Sequence, residues 1–188
     1  MTKLALLLGG LPLLAGACRA QAPAPAPASS AGVASDEDRS ADDPAAWTGE
    51  RGGVRGDPVT GLELTLPPDW ESRPLGGDTI WEARWTEWDG VTLRLERWSG
   101  SVEELVDRYA PVPQSWLSGG PFTGLEELAD GPPLVGSLPT RDGMLLVSWY
   151  LRIEGRGLAI EAALPDRGFE SAWREVDGIV RSARRTEQ

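Results

Sequence analysis

A chain of 188 residues suffices for one ordinary hydrophobic core, and its 18 basic against 29 acidic residues leave a net charge of −11. That balance argues against a nucleic-acid partner, because phosphate binding depends on a basic surface that releases counterions, and it favours basic or uncharged partners. With no histidine and a single cysteine, the chain lacks imidazole for base or metal chemistry and has no internal disulfide.

Met1-Thr2-Lys3 is a short positive start, and Leu4 to Ala17 is apolar with small residues before Cys18. Residues 1–17 therefore read as a secretory signal peptide, too short for the roughly 20 residues of a spanning helix. Leu14-Ala15-Gly16-Ala17-Cys18 resembles the signal of bacterial lipoproteins, with Ala15 where leucine is usual. The resemblance implies a diacylglyceryl group on the Cys18 thiol, removal of the leader and acylation of the new amino terminus. Two or more acyl chains hold a protein stably on a membrane. The expected location is the cell envelope, lipid-anchored, and by the sorting rule of enterobacterial lipoproteins the resemblance implies that Arg19 in place of aspartate permits transfer to an outer membrane.

Residues 18–50 are predicted to form a disordered linker. Ala, Pro, Ser and Asp dominate it, and the large apolar side chains that offset chain entropy are almost missing. "APAPAPA" favours extended polyproline II, and "SDEDRSADD" adds self-repelling charge. The stretch "RGGVRGDP" reads as a flexible approach to the domain, and the Arg55-Gly56-Asp57 tripeptide in it as a chance match.

The domain, 51–188, declares itself after Gly61. "LELTL" alternates Leu62, Leu64 and Leu66 with polar residues, the period of a half-buried strand, and Pro67-Pro68 are predicted to end it. "TIWEARWTEW" puts Trp81, Ala83 and Trp85 on one side, Asp89-Gly90 signals a tight hairpin, and Val91, Leu93 and Leu95 continue the apolar face. Ser101 and Glu104 form a capping box for a helix whose apolar face is expected to hold Val102, Leu105, Val106 and Tyr109. From 110 to 143 prolines and glycines forbid long elements. "MLLVSWYLRI" and "LAIEAAL" then predict a hairpin turning at Glu154-Gly155, with Leu145, Val147, Trp149 and Leu151 buried beside Leu158, Ile160, Ala162 and Leu164. Glu82, Arg84, Arg94, Glu96, Arg152 and Glu161 fall on the opposite, charged face. A last helix presents Phe169, Trp173, Val176 and Val180, with Asp166 as its predicted cap and Arg181, Arg184 and Arg185 at its negative end.

This order resembles the PsbP-like superfamily. The matching residues are Leu66-Pro67-Pro68-Asp69-Trp70, the helix start from Ser101 to Leu105, Gly136-Ser137-Leu138-Pro139, and Leu164-Pro165 followed by Phe169 and "EVDGIVRSAR". The resemblance implies an α+β fold, an antiparallel β-sheet flanked by helices in an α/β/α sandwich, and a binding or assembly role without catalysis. The apolar pattern itself marks mainly one sheet face.

No nucleophile motif is present: there is no G-x-S-x-G, and no lysine follows Lys3 to complete S-x-x-K. Asp36-Glu37-Asp38 lacks calcium-loop spacing, so no metal, cofactor or catalytic residue is assigned. Among nine tryptophans, Trp81 and Trp85 read as core, while Trp88 at the hairpin and Trp98 on the charged face are the expected exposed pair and the candidate ligand-binding residues. Two functions follow as expectations: a membrane-tethered adapter for an envelope protein, or a lipoprotein that binds carbohydrate or peptidoglycan through these tryptophans.

Overall fold

The computed structural model describes residues 47–117 and 124–186. The leader, Cys18 and nearly all of the linker lie outside the described residues. Positions 47–50, read as linker, belong to the fold: Trp47 stacks on side chains of the sheet and Glu50 opens its first strand.

Among the described residues nine strands form one antiparallel sheet. They are β1 (Glu50–Gly56), β2 (Leu62–Gly76), β3 (Thr79–Trp85), β4 (Thr92–Trp98), β5 (Ala110–Pro111), β6 (Leu134–Pro139), β7 (Met144–Ile153), β8 (Arg156–Pro165) and β9 (Arg184–Arg185). The order is β1-β2-β3-β4-β8-β7-β6-β5, with β9 paired to β2. Three helices complete the described fold: α1 (Val102–Arg108), α2 (Leu125–Leu128) and α3 (Phe169–Arg181).

Alternation decides which face is buried. Leu62, Leu64, Trp70, Ala83, Leu93, Leu95, Trp149, Leu151, Leu158, Ile160 and Leu164 point to one face and are inaccessible to solvent. There α3 supplies Ala172, Trp173, Val176, Ile179 and Val180, and α2 supplies Leu125. Trp149 and Trp173 stack with ring centroids 5.6 Å apart, and the Trp173 indole donates to the Trp116 carbonyl at 3.0 Å. On the opposite face α1 buries Leu105 with Tyr109 and Tyr150, and Trp98, Leu138 and Leu146 pack around them. Helices thus lie on both faces, although α1 covers only one end of its own.

Several boundaries differ from the sequence expectation. β2 runs through Pro67-Pro68, because the two prolines sit where the β1 ladder is interrupted between Gly53↔Leu66 and Arg51↔Glu71, and before β3 joins at Trp70↔Trp85. No ladder amide is required of them there. "RGGVRG" is the edge strand β1 rather than a flexible approach. The strand read as continuing to Trp88 stops at Trp85, and residues 86–91 form the turn, closed by Trp85 N–H to the Val91 carbonyl at 3.0 Å. Region 110–143 holds the six-residue strand β6 besides its short turns.

The capping box of α1 forms as read, with Ser101 accepting from the Glu104 amide at 3.2 Å and Glu104 from the Ser101 amide at 3.1 Å. For α3 the cap is Gly168, not Asp166, whose amide instead donates to the Gly143 carbonyl at 3.2 Å. Gly168 has φ of 74°, and any Cβ there would overlap the Trp88 ring. Arg184 and Arg185 leave the helix for β9, where they pair with Glu63 and Glu154.

Candidate binding surface

The α1 face divides into two halves. Along β2, β3 and β4 it carries charges in direct cross-strand register: Glu71↔Arg84, Arg73↔Glu82 and Glu82↔Arg94. Glu71 accepts from Arg84 at 3.0 Å and from Arg51 at 3.2 Å. Glu82, only 4% exposed, lies between Arg73 at 3.1 Å and Arg94 at 2.7 Å. The hydrogen bond from Arg84, then that from Arg51, lowers the Glu71 pKa despite partial desolvation. Burial works against the charge of Arg94, yet the bond to Glu82 and the nearby Glu161 and Glu96 raise its pKa overall. Trp47 lies against this layer, with the Arg73 guanidinium 4.0 Å and that of Arg84 4.9 Å from its ring centre.

The other half is apolar at its centre. Leu105, Val106, Tyr109, Leu134 and Tyr150 line a groove of about 170 Å³ between α1 and β6. Val106 is 63% and Leu134 36% exposed, so the groove opens to solvent. At its base the Tyr109 hydroxyl donates to Glu161 at 2.5 Å, and burial followed by the Glu161 carboxylate pushes the phenol pKa well up. This hydroxyl is held as a donor to the Glu161 carboxylate.

Beyond Tyr150 the groove meets a cleft of about 440 Å³ at the β7–β8 turn, lined by Trp98, Tyr150, Arg97, Arg152 and Arg156. Trp98, Gly157 and Arg152 lie in one cross-strand row, and Gly157 leaves room at its centre for the Tyr150 ring. A Cβ there would meet the Trp98 carbonyl and the Tyr150 ring. The turn is set by Glu154, in the left-handed region at φ 51°, and by Asp130, whose carboxylate accepts from the Gly155 amide at 2.7 Å and the Glu154 amide at 3.1 Å. The Gly155 amide in particular lowers the Asp130 pKa. At the far wall Asp57 is buried. Desolvation alone would raise its pKa, but bonds from Thr60, from Arg97 at 3.1 Å and from the Val59 and Thr60 amides outweigh it, so the carboxylate stays charged.

Of the two tryptophans singled out from sequence, Trp98 stands at this cleft and Trp88 does not. Both are half-buried. The Trp98 indole donates to the Ser101 carbonyl at 3.4 Å, and Arg108 lies over its ring at 5.1 Å. Trp88 packs between Trp85, 5.8 Å away, and Gly168, as a lid on the core. Tyr150 and Arg156 received no weight in the sequence reading. The alternation that buries Trp149 and Leu151 puts Tyr150 on the opposite face with Arg152, but that α1 packs against it is visible only in the fold. Among the described residues no three His, Cys, Asp or Glu side chains gather as a metal site, and no helix is long and apolar enough to cross a membrane.

No protein-family model matches the chain, and no curated protein matches it. Among solved structures it is similar to a protein of Bacteroides thetaiotaomicron, at 9% identity and a TM-score of 0.48 over 74% of this chain; it spans half the length of that protein. It is also similar to the cyanobacterial PsbP protein (CyanoP) of Synechocystis, at 10% identity and a TM-score of 0.41, covering 72% of this chain and 93% of that one.

Proposed function

We propose that the chain is a lipoprotein of the bacterial cell envelope, acylated at Cys18, and that its domain works without catalysis as an adapter holding a protein partner at the membrane. The observation that carries the reading is the open groove beside α1. Along β2, β3 and β4 that face carries cross-strand ion pairs, whereas beside α1 Val106 and Leu134 present apolar surface that is open among the described residues. Exposed apolar surface rimmed by polar groups is characteristic of interaction sites. The PsbP-like motifs support a binding role, and the lipobox-like leader supports the anchor. In the domain those motifs serve structure: Asp69 accepts from the Trp85 indole at 2.6 Å, and Trp70 stacks on Trp85 at 6.3 Å.

The test is capture from detergent-solubilised native envelope after mild crosslinking, with full-length acylated protein as bait beside its Val106→Glu variant. One or a few proteins recovered in constant ratio with the wild type, and lost with the variant, are the expected result. Cys18→Ser should move the protein from the detergent to the aqueous phase; continued detergent partitioning would refute the anchor. Trp98 at the cleft wall favours a second reading, carbohydrate or peptidoglycan binding through this residue and not through Trp88. Recovery of glycan without protein, sensitive to Trp98→Ala, would select it.

A further inference from the structure

The apolar face of α1 is only half covered. Leu105 and Tyr109 lie against the sheet at 6% and 8% exposure, but Val102 and Val106, which belong to the same stripe, remain 37% and 63% exposed. Val106 walls the groove of about 170 Å³, Val102 walls the hollow that continues it, and Leu134 and Tyr150 line both. One helical turn separates the two valines, so they stand about 6 Å apart along the open strip. The groove is well below the roughly 300–1,000 Å³ of small-molecule sites, a size that fits side chains of a protein segment better than a separate ligand.

The free charges beside this strip have one sign. Glu103 and Asp107 follow the two valines by one residue each, which on a helix makes them the adjoining stripe, again one turn apart. Both are exposed, and neither takes part in an ion pair among the described residues. The other charges nearby are engaged. Glu104 closes the capping box, Glu161 accepts from Tyr109, Arg108 lies over the Trp98 ring, and at the far end Arg152 acts on Asp130. The lining of the groove itself carries no charged side chain.

We infer that the occupant is a basic amphipathic segment of a protein partner. It presents two aliphatic residues about 6 Å apart, the spacing of four positions in a helix or two in a strand, with lysine or arginine beside them. The aliphatic side chains cover Val102, Val106 and Leu134, and the cations meet Glu103 and Asp107. Complementary charge at the rim of an apolar contact fixes register and speeds encounter, and the net charge of −11 acts in the same direction. This inference rests on the adapter reading and adds the partner's chemistry to it.

The probe is a library of short random linear peptides, selected on full-length acylated protein held in a zwitterionic detergent. The selected peptides should pair aliphatic residues at that spacing with one or two Lys or Arg. Their affinity should fall about tenfold with the double reversal Glu103→Lys, Asp107→Lys, about threefold with Glu103→Gln, Asp107→Asn, and about tenfold with Val106→Glu. Glu87→Lys with Glu170→Lys, which changes the net charge equally but away from α1, should leave affinity unchanged. Unchanged tryptophan emission and urea midpoint establish that the variants are folded. Selection of acidic or uncharged peptides overturns the site, and so does an equal loss with the distant reversal, since the attraction would then belong to the whole chain. A native protein partner that crosslinks equally to the Glu103, Asp107 reversal also overturns it but leaves the adapter reading intact. Recovery of glycan and no protein from the native envelope removes both.

Discussion

The two faces of this sheet are built from the same strands, yet they hold together by different physics. Under α3 the side chains are inaccessible leucines, isoleucine and tryptophans, each touching many others, so that stability there depends on volume and shape. Under and beside α1 the stabilising units are discrete: an ion triad at Glu71, another at Glu82, a phenol–carboxylate bond at Glu161 and one short helix. A face of discrete pairs can lose one pair, or leave a guanidinium without one, and remain folded. A close-packed face has no such slack. The α1 face is accordingly where a binding site can be accommodated at little cost in stability.

Substitutions can test that contrast. The largest effect should come from Trp149→Ala on the α3 face, which removes a fully buried ring stacked on Trp173 and should cost about 3–5 kcal/mol in urea unfolding. Next is Gly168→Ala, at about 2–3 kcal/mol, since the methyl group must displace Trp88 and accept a left-handed backbone. Part of that loss should return when Trp88→Ala is added, whereas a purely additive double variant would mean that the ring contact is irrelevant.

Asp57→Ala should cost about 2 kcal/mol, the magnitude of hydrogen bonds to a charged group. Asp57 also has a definite pH signature. Its folded pKa is depressed, so its contribution is complete above the unfolded value of about 4 and disappears as pH falls through the folded value. Stability measured from pH 5 downwards should therefore fall less steeply in the variant than in the wild type. Equal slopes would show that the carboxylate titrates alike in both states. The smallest effect should be that of Arg84→Ala, at most about 1 kcal/mol, because the pair with Glu71 is partly solvated and Arg51 remains. A loss of several kcal/mol there would erase the distinction between the two faces.

Much of the sheet was legible because alternation is a local signal. Leu62-Leu64-Leu66, Leu93-Leu95 and the 144–165 hairpin needed no tertiary knowledge, and neither did the Ser101 capping box. What the sequence concealed depends on partners distant along the chain. β1 has the glycines of a loop and becomes a strand because β2 offers it an edge. Pro67 and Pro68 read as a stop, and only the gap in the neighbouring ladders shows why they are tolerated. The binding surface was half visible. Trp98 and Arg152 were assigned to the charged face, but their meeting across Gly157 follows from a β4–β8–β7 register that no single segment encodes. That Trp88 lies half-buried against the core follows from its contact with Gly168, which is itself featureless in sequence.

β2 is paired on its far side not only by β3 but, at Leu62 and Glu63, by β9, the last strand of the chain. The Arg184–Glu63 ion pair joins residues 121 positions apart, and the Thr65 amide is capped by Ser182 at 2.8 Å. In folding this makes the domain a latecomer. The 144–165 hairpin can zip from local contacts, but β2 must wait, one stretch of its edge bare, until the distant β9 reaches it. Removal of Arg184 and Arg185 should thus leave a chain whose local hairpins have formed but whose β2 edge stays open.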